Sequence, residues 1–265
     1  MNLKGTIAIV TGAASGIGRS TVIHLAKHGC TPVLVDIKED KLVEVLVKVL
    51  KYSPDSTAKV CDISQETQVR QLVQTINERY GKIDILVNNA GMMIVKFFDE
   101  MSQEEFYRQM AVNFYGGVHF IQAVVPIMRK QGKGVIINVT SVGGKLIVPG
   151  TTVYSASKAA FHGFSEALYY ELKDKGIHVG IVLPGGTRTG IFDNSTTKLG
   201  KYYQSECKTP PLKVAQKIRE AIEKERFMTV VPSSYRFLIE FHDFFPGFFG
   251  NQLLRRLRPY FNQQS

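Results

Sequence analysis

The sequence predicts a single-domain α/β fold: a doubly wound parallel sheet of about seven strands with helices on both faces. Three observations lead there. Short runs of Val, Ile and Leu recur as far as Leu183 with no polar alternation, which marks strands covered on both faces. Each run is followed by a stretch with helical spacing of apolar residues, and strict strand–helix alternation implies right-handed parallel crossovers. The first run passes straight into a glycine-rich turn.

Thr6–Val10 reads as the first strand. Gly16–Gly29 reads as the first helix, with Ile17, Val22, Leu25 and Ala26 on one side and Gly29 as C-cap. Pro32–Asp36 is the second strand and Lys38–Lys51 the second helix. Ala58–Cys61 is the third strand, and Gln65–Tyr80 the third helix, closed by Gly81. Ile83–Val87 is the fourth strand, and one long helical region follows at Ser102–Gln131. Val135–Thr140, a helix over Tyr154–Lys175 and a sixth strand at Ile177–Leu183 complete the alternation. On such sheets ligands bind beyond the carboxyl ends of the strands, so the chemistry is expected there.

Composition excludes several classes. Of 265 residues, 44% are hydrophobic and 21% charged, so the chain can fill a core and is not disordered. No apolar run approaches the ~18 residues of a membrane span, and Ile7–Val10 is too short for a signal peptide. Cys30, Cys61 and Cys207 are far apart and form no CxxC pair. They suit a reducing, cytoplasmic setting rather than a disulfide scaffold or a zinc site. The net charge of +10 is dispersed along the chain, which argues for a solvated basic surface over nucleic-acid binding.

The turn Thr11-Gly12-Ala13-Ala14-Ser15-Gly16-Ile17-Gly18 lies between a strand and a helix. Its glycines allow a tight turn and bring an anion to free N–H groups at a helix N-terminus. The spacing is GxxxGxG, not the commoner GxGxxG. Asp36 ends the next strand, where a carboxylate accepts hydrogen bonds from adenosine ribose hydroxyls and repels a 2′-phosphate. Lys38 could meet such a phosphate, but Ser15 in the loop is not basic. NAD is therefore favoured, with NADP less favoured.

From about Lys4 to Thr189 the sequence resembles the short-chain dehydrogenase/reductase family, whose fold is of Rossmann type. TGAASGIG matches the family's TGxxxGxG loop, Asn88-Asn89-Ala90-Gly91 its NNAG motif, and Tyr154-Ser155-Ala156-Ser157-Lys158 its YxxxK motif. The resemblance implies catalytic roles for Ser141, Tyr154, Lys158 and Asn113. It implies dinucleotide contacts by Gly12, Ser15, Ile17, Gly18, Asp36, Asp62, Asn89, Ala90, Tyr154, Lys158, Pro184 and Thr189. Asp62 would meet the adenine and Thr189 the nicotinamide carboxamide. Asn88 would be structural, and Asn113 would link Lys158 through water to solvent. His24, His28, His119, His162 and His178 match no catalytic slot, and no metal is implied.

Residue physics supports the pair. Tyr154 and Lys158, at i and i+4, share a helix face. A free tyrosine has a pKa of about 10; a nearby ammonium and a positive nicotinamide ring both favour the phenolate. Lowering that pKa by ~3 units takes about 4 kcal/mol. Ser141 can hold the substrate oxygen beside Tyr154.

Substrate shape should come from 142–153, with Leu146, Ile147, Val148 and Pro149, from Met92–Val95, and from 186–211, a segment of lid length carrying Phe192, Leu199, Tyr202 and Tyr203. This lining favours a lipid-like or ring-bearing alcohol or ketone. The expected function is NAD-dependent interconversion of a secondary alcohol and a ketone. The rivals are an NADPH-dependent 3-oxoacyl reductase of the same family and a catalytically idle dinucleotide-binding sensor or scaffold. A homodimer or homotetramer is expected.

Residues 1–226 thus form the dinucleotide-binding and catalytic domain. Residues 227–265 form an extension unlike the family's ordinary ending. Residues 227–261 hold ten of the 27 Phe and Tyr residues. Phe237, Phe241, Phe244 and Phe248 make a helical stripe interrupted by Pro246-Gly247, followed by Leu253, Leu254 and Leu257 beside Arg255, Arg256 and Arg258. Packing on the same domain or on a neighbouring subunit is expected first, and peripheral membrane contact second.

Overall fold

The computed structural model describes residues 1–193 and 195–261. Seven parallel strands, β1 (Ile7–Thr11), β2 (Thr31–Asp36), β3 (Thr57–Val60), β4 (Ile85–Asn88), β5 (Gly134–Val139), β6 (Ile177–Pro184) and β7 (Met228–Val231), form one sheet in the order β3-β2-β1-β4-β5-β6-β7. Six lie within two residues of their predicted bounds. The seventh, which the sequence reading counts without placing, pairs with β6 through Ile181 and Met228.

The continuous apolar runs split by the period of two of a strand. Val10, Leu34, Val87, Ile137 and Val182 face helices α1 (Gly16–Ala26), α2 (Glu39–Leu50) and α8 (Pro211–Glu223) through Val22, Leu25, Val45 and Ile218. Ile9, Val33, Leu86, Ile136 and Val179 face α3 (Glu66–Tyr80), α5 (Gly116–Gln131) and α6 (Thr152–Lys173) through Val73, Phe120, Val124 and Phe161. The chain leaves β1 toward β2 and β3, then returns past β1 to β4. That reversal opens a crevice at the carboxyl ends of β1 and β4, the ligand position of doubly wound sheets.

The predicted helix Ser102–Gln131 is a composite. Ser102 and Glu105 form a capping box at the start of α4 (Gln103–Met110). A π-helical turn, Ala111–Tyr115, then leads into α5. By length and composition, Gln103–Gln131 is long and apolar enough to cross a membrane, which corrects the expectation that no segment comes near. Phe120, Ile121, Val124 and Met128 of this helix are buried against the sheet.

The extension forms α9 (Ser234–Phe244) and α10 (Pro246–Leu257). Tyr235, Leu238, Ile239 and Phe249 pack on Val142, Leu146 and Leu183. Leu257 is buried with Val95, Phe192 and Leu199, joined by Leu253, Tyr260 and Phe261. Most of the predicted aromatic stripe does not pack on the chain's own body: Phe237, Phe244 and Phe248 are exposed.

Candidate active site

The glycine loop after β1 is shaped by close approach. Gly12 has φ +68°, and a β-carbon there would come within 2.8 Å of Ala90 Cα. A β-carbon on Gly18 would collide with the carbonyl oxygen of Gly12. These contacts bring the N-terminus of α1 against the loop. Ser15 makes no side-chain cap there, so the first N–H groups of the helix face the crevice, where they favour an anion.

The NNAG segment braces this loop. Thr11 Oγ1 accepts from the backbone N–H of Asn89 and of Ala90, both at 3.0 Å. Asn89 Nδ2 donates back to the Thr11 carbonyl at 2.9 Å. Asn88 is buried and donates to Asn138 Oδ1 at 2.9 Å, while Asn138 donates to Ser165 Oγ at 2.8 Å. That thread fixes β4, β5 and α6 to one another, so Asn88 has a framework position.

Asp36 closes the loop from the other side. Its Oδ2 accepts from the Ala14 N–H and its Oδ1 from the Lys38 N–H, both at 3.0 Å. Each carboxylate oxygen retains acceptor capacity. Asp62 Oδ1 accepts from the backbone and hydroxyl of Ser64 at 3.0 and 2.7 Å. The crevice has a volume of about 1080 Å³ and is lined by Gly12, Ser15, Ile17, Asp36, Asp62, Asn89, Ala90 and Thr189. This size is at the top of the range for small-molecule sites. Ile37 and Ile63 also line it; the sequence reading passed over both, although each is an apolar residue directly after a strand-end acid. Gly18 is buried beneath the loop. Pro184 is buried at the end of β6, paired with Val231.

The predicted catalytic residues gather around two glycines: Ser141 and Tyr154 at Gly143, and Asn113 and Lys158 at Gly91, which lines the crevice. Ser141 Oγ and the Tyr154 ring both lie 3.3 Å from where a β-carbon on Gly143 would sit, and the Gly143 N–H donates to Ser141 Oγ at 2.9 Å. Because Oγ accepts from Gly143, its own proton is available to a neighbouring oxygen. Lys158 Nζ donates to the Val139 carbonyl at 3.2 Å. Asn113 lies in the π-helical turn, a feature frequent at functional sites. Its Oδ1 accepts from the Met92 N–H at 2.8 Å, and its Nδ2 donates to the Met92 carbonyl and to Ser157 Oγ at 2.9 and 3.0 Å. Ser157 in turn donates to the Tyr154 carbonyl at 2.7 Å. Ser157 thus ties the π-turn to the Tyr154 helix; its place before Lys158 in YxxxK was its one sequence signal.

Asn113 Oδ1 and Lys158 Nζ both lie 3.3 Å from where a β-carbon on Gly91 would sit. The missing side chain leaves a gap flanked by these two polar groups.

Electrostatics departs from the expectation for Tyr154. Burial pushes its phenol above the ordinary tyrosine value; the Ser141 hydrogen bond opposes this and nearby Cys207 adds to it. Burial also lowers Lys158 from 10.5 to about 8. The shared helix face does not bring the ammonium to bear on the phenol, because Nζ extends to the end of β5 instead. In the protein alone, burial shifts both groups toward their neutral forms, though Lys158 stays charged below about pH 8.

The substrate side is closed. Tyr154 is 6% exposed. Helix α7 (Lys198–Ser205) is held down by the Tyr203 hydroxyl donating to the Pro149 carbonyl at 2.8 Å. Leu199 lies over Gly150, where a β-carbon would meet it at 2.7 Å. Helix α7 is thus held against the Pro149–Gly150 turn.

Residues 6–200 match the short chain dehydrogenase family. The 3-oxoacyl-[acyl-carrier-protein] reductase of Thermotoga maritima is 36% identical over 199 residues, 75% of this chain and 80% of that protein. The 3-ketodihydrosphingosine reductase of Bos taurus is 35% identical over 233 residues, 83% of this chain and 70% of that protein. A short chain dehydrogenase/reductase from Burkholderia phymatum, solved in complex with NAD, superposes with a TM-score of 0.86 at 26% identity, covering 92% of this chain and 95% of that one. The chain belongs to the short chain dehydrogenase family. It is an oxidoreductase of the NAD(P)-dependent class that acts on CH–OH and C=O groups.

Proposed function

We propose that this enzyme interconverts a secondary alcohol and a ketone on an apolar, lipid-like or ring-bearing molecule, with NAD as its dinucleotide. The observation that carries the reading is the placement of Ser141 Oγ beside the Tyr154 ring at Gly143, with Lys158 and Asn113 behind Gly91, which lines a crevice that also carries Asp36. The relatives named for a 3-oxoacyl and a 3-ketodihydrosphingosine substrate support a keto group on a long apolar molecule.

The crevice fits a dinucleotide. The α1 N-terminus and glycine loop suit a pyrophosphate, and Asp36 suits the ribose hydroxyls near the adenine. Lys158 would hold the second ribose. When bound, the nicotinamide supplies or takes the hydride. Ser141 donates a hydrogen bond to the carbonyl oxygen and holds it against Tyr154. The Tyr154 hydroxyl gives its proton to that oxygen in reduction and recovers it in oxidation. The gap beside Gly91 suits a water between Lys158 and Asn113 that restores the proton.

NADH is expected to bind more tightly than NADPH, and Asp36→Ala should narrow or invert the preference. Fluorescence titration with both dinucleotides measures this. A wild-type preference for NADPH of tenfold or more, about 1.4 kcal/mol, would overturn the reading of Asp36. Turnover on steroid, retinoid and fatty-acyl carbonyls then tests the substrate class.

The Lys158 value of about 8 carries its own expectation. Its depressed pKa leaves the side chain charged below pH 8 and neutral above, so an ammonium that holds a ribose is present below and lost as pH rises. NADH affinity should be flat below that pH and weaken above it, by up to about tenfold per pH unit. Lys158→Met should abolish the slope. A wild-type profile as flat as the variant's would remove the ammonium from the binding site.

A further inference from the structure

The largest aromatic cluster left open by the fold lies at the elbow between α9 and α10. Phe237, Phe244, Phe245 and Phe248 are 73%, 80%, 57% and 59% exposed. Phe241 joins three of them, its ring centroid 6.5 Å from Phe237, 5.2 Å from Phe245 and 6.1 Å from Phe248. Single exposed apolar residues are ordinary, but contiguous clusters mark contact sites. The same helices are already anchored on their other sides, by Tyr235, Leu238 and Phe249 on one flank and by Leu257 on the other. The ridge is therefore not a face waiting to close onto its own chain.

We propose that this elbow docks on an anionic lipid surface. Charge decides between that occupant and a second copy of the chain. Residues 234–260 carry four arginines against two carboxylates. Glu240 is engaged by Arg236 at 3.4 Å, and Asp243 lies 3.4 Å from His242. Among the described residues no carboxylate is paired with Arg255 or Arg258. A second copy would bring the same excess of arginine to the contact, on a chain of net charge +10. An anionic bilayer brings the opposite sign and an apolar layer that receives phenylalanine rings.

The arrangement also has a direction. Arg256, on the same helix, binds Glu206 at 3.1 Å, and Tyr260 packs at a tilt on Tyr202 with ring centroids 4.5 Å apart. The segment that follows the elbow thus reaches Tyr202 of α7 and the residue just after that helix. A chain docked by its elbow would carry α7 close to the bilayer. The inference does not depend on the identity of the substrate, because its readout is binding to lipid.

The test is co-sedimentation of the full chain with vesicles of equimolar phosphatidylglycerol and phosphatidylcholine, against phosphatidylcholine alone, at low and high salt. Binding is expected to the anionic vesicles at low salt and to weaken with salt. Replacing Phe237, Phe244, Phe245 and Phe248 by Ser together should reduce partitioning at least tenfold while leaving NADH binding intact. Arg255→Gln with Arg258→Gln should cost roughly fivefold for each arginine, the equivalent of about 1 kcal/mol apiece, on anionic vesicles alone. This second variant touches exposed side chains, so it keeps the test decisive if the first misfolds. Failure of the wild type to sediment with anionic vesicles at low salt would overturn the proposal. So would sedimentation unchanged by both variants, or light scattering that shows the ridge consumed by self-association without vesicle binding.

Discussion

Tyr154→Phe should lower turnover by the ~10²–10⁴ that a general acid/base contributes, while the fold and NADH affinity survive. The change removes one hydroxyl from a buried ring that lies beside Ser141 at Gly143. The ring keeps its packing, so the loss is chemical and not structural. Burial raises the phenol in the protein alone, and that sharpens the expectation. With its pKa above the usual value, Tyr154 is held as a proton donor, which suits reduction of a carbonyl at neutral pH. Oxidation of an alcohol requires the phenolate, so its rate should climb with pH well beyond neutrality, and Tyr154→Phe should erase that dependence. The measurement is a pair of pH–rate profiles, one per direction, with melting curves and NADH titrations as controls. Turnover of the variant within a factor of a few of the wild type would remove Tyr154 from the chemistry.

The difference between what was legible in the sequence and what was not follows the range of the forces involved. Five of the first six strands announce themselves as runs rich in Val, Ile and Leu that serve both faces of the sheet; β3, with the sequence Thr-Ala-Lys-Val, is the exception. The motif residues were legible because each stands at a strand end or a helix start, where topology alone sends it to the crevice. Met228–Val231 was harder: it has four residues, and it becomes a strand by pairing with β6. The π-turn at Ala111–Tyr115 leaves the apolar spacing of the long helix nearly unchanged, so periodicity does not detect it. The Asn113 side chain shows its purpose through Met92 and Ser157, contacts made across 21 and 44 residues.

For a related reason, spacing alone does not say where the Lys158 stem ends or which of the tail's aromatics meet the body. A spacing of i to i+4 places Tyr154 and Lys158 on one face, but it does not say where a lysine stem ends, and here it ends at the Val139 carbonyl. The aromatic stripe of the extension has helical spacing, which sequence reasoning equates with packing. The helices instead divide their apolar residues between two faces. Tyr235 sits against Gly185, a position where any β-carbon would collide with its ring, while Phe237, two residues on, points to solvent. Which face of an amphipathic helix meets the body is set by the shape of its receiver, and that receiver is assembled from segments far away in the chain.

Gly18→Ala should cost at least tenfold in NADH affinity, about 1.4 kcal/mol, and lower the stability by the ~1–3 kcal/mol of an overpacked site. The added methyl has no room: it would collide with the Gly12 carbonyl and lie 2.6 Å from Asn89 Nδ2. Neither neighbour can give way freely. The Gly12 carbonyl belongs to a backbone already at φ +68° and pressed on Ala90. The Asn89 amide bridges the Thr11 and Gly12 carbonyls at 2.9 and 3.4 Å, so moving it releases the glycine loop from β4. The N-terminus of α1 would shift away from the crevice, and the N–H groups that suit a pyrophosphate would lose their aim. Gly163→Ala provides the contrast. Gly163 lies in α6 with nothing within 4 Å of an added β-carbon, so alanine should stabilise the helix by up to ~1 kcal/mol with NADH affinity unchanged. Paired titrations and melting curves of the two variants separate loop geometry from the general effect of replacing a glycine. An affinity for NADH within twofold of the wild type in Gly18→Ala would show that the glycine loop does not set the dinucleotide site.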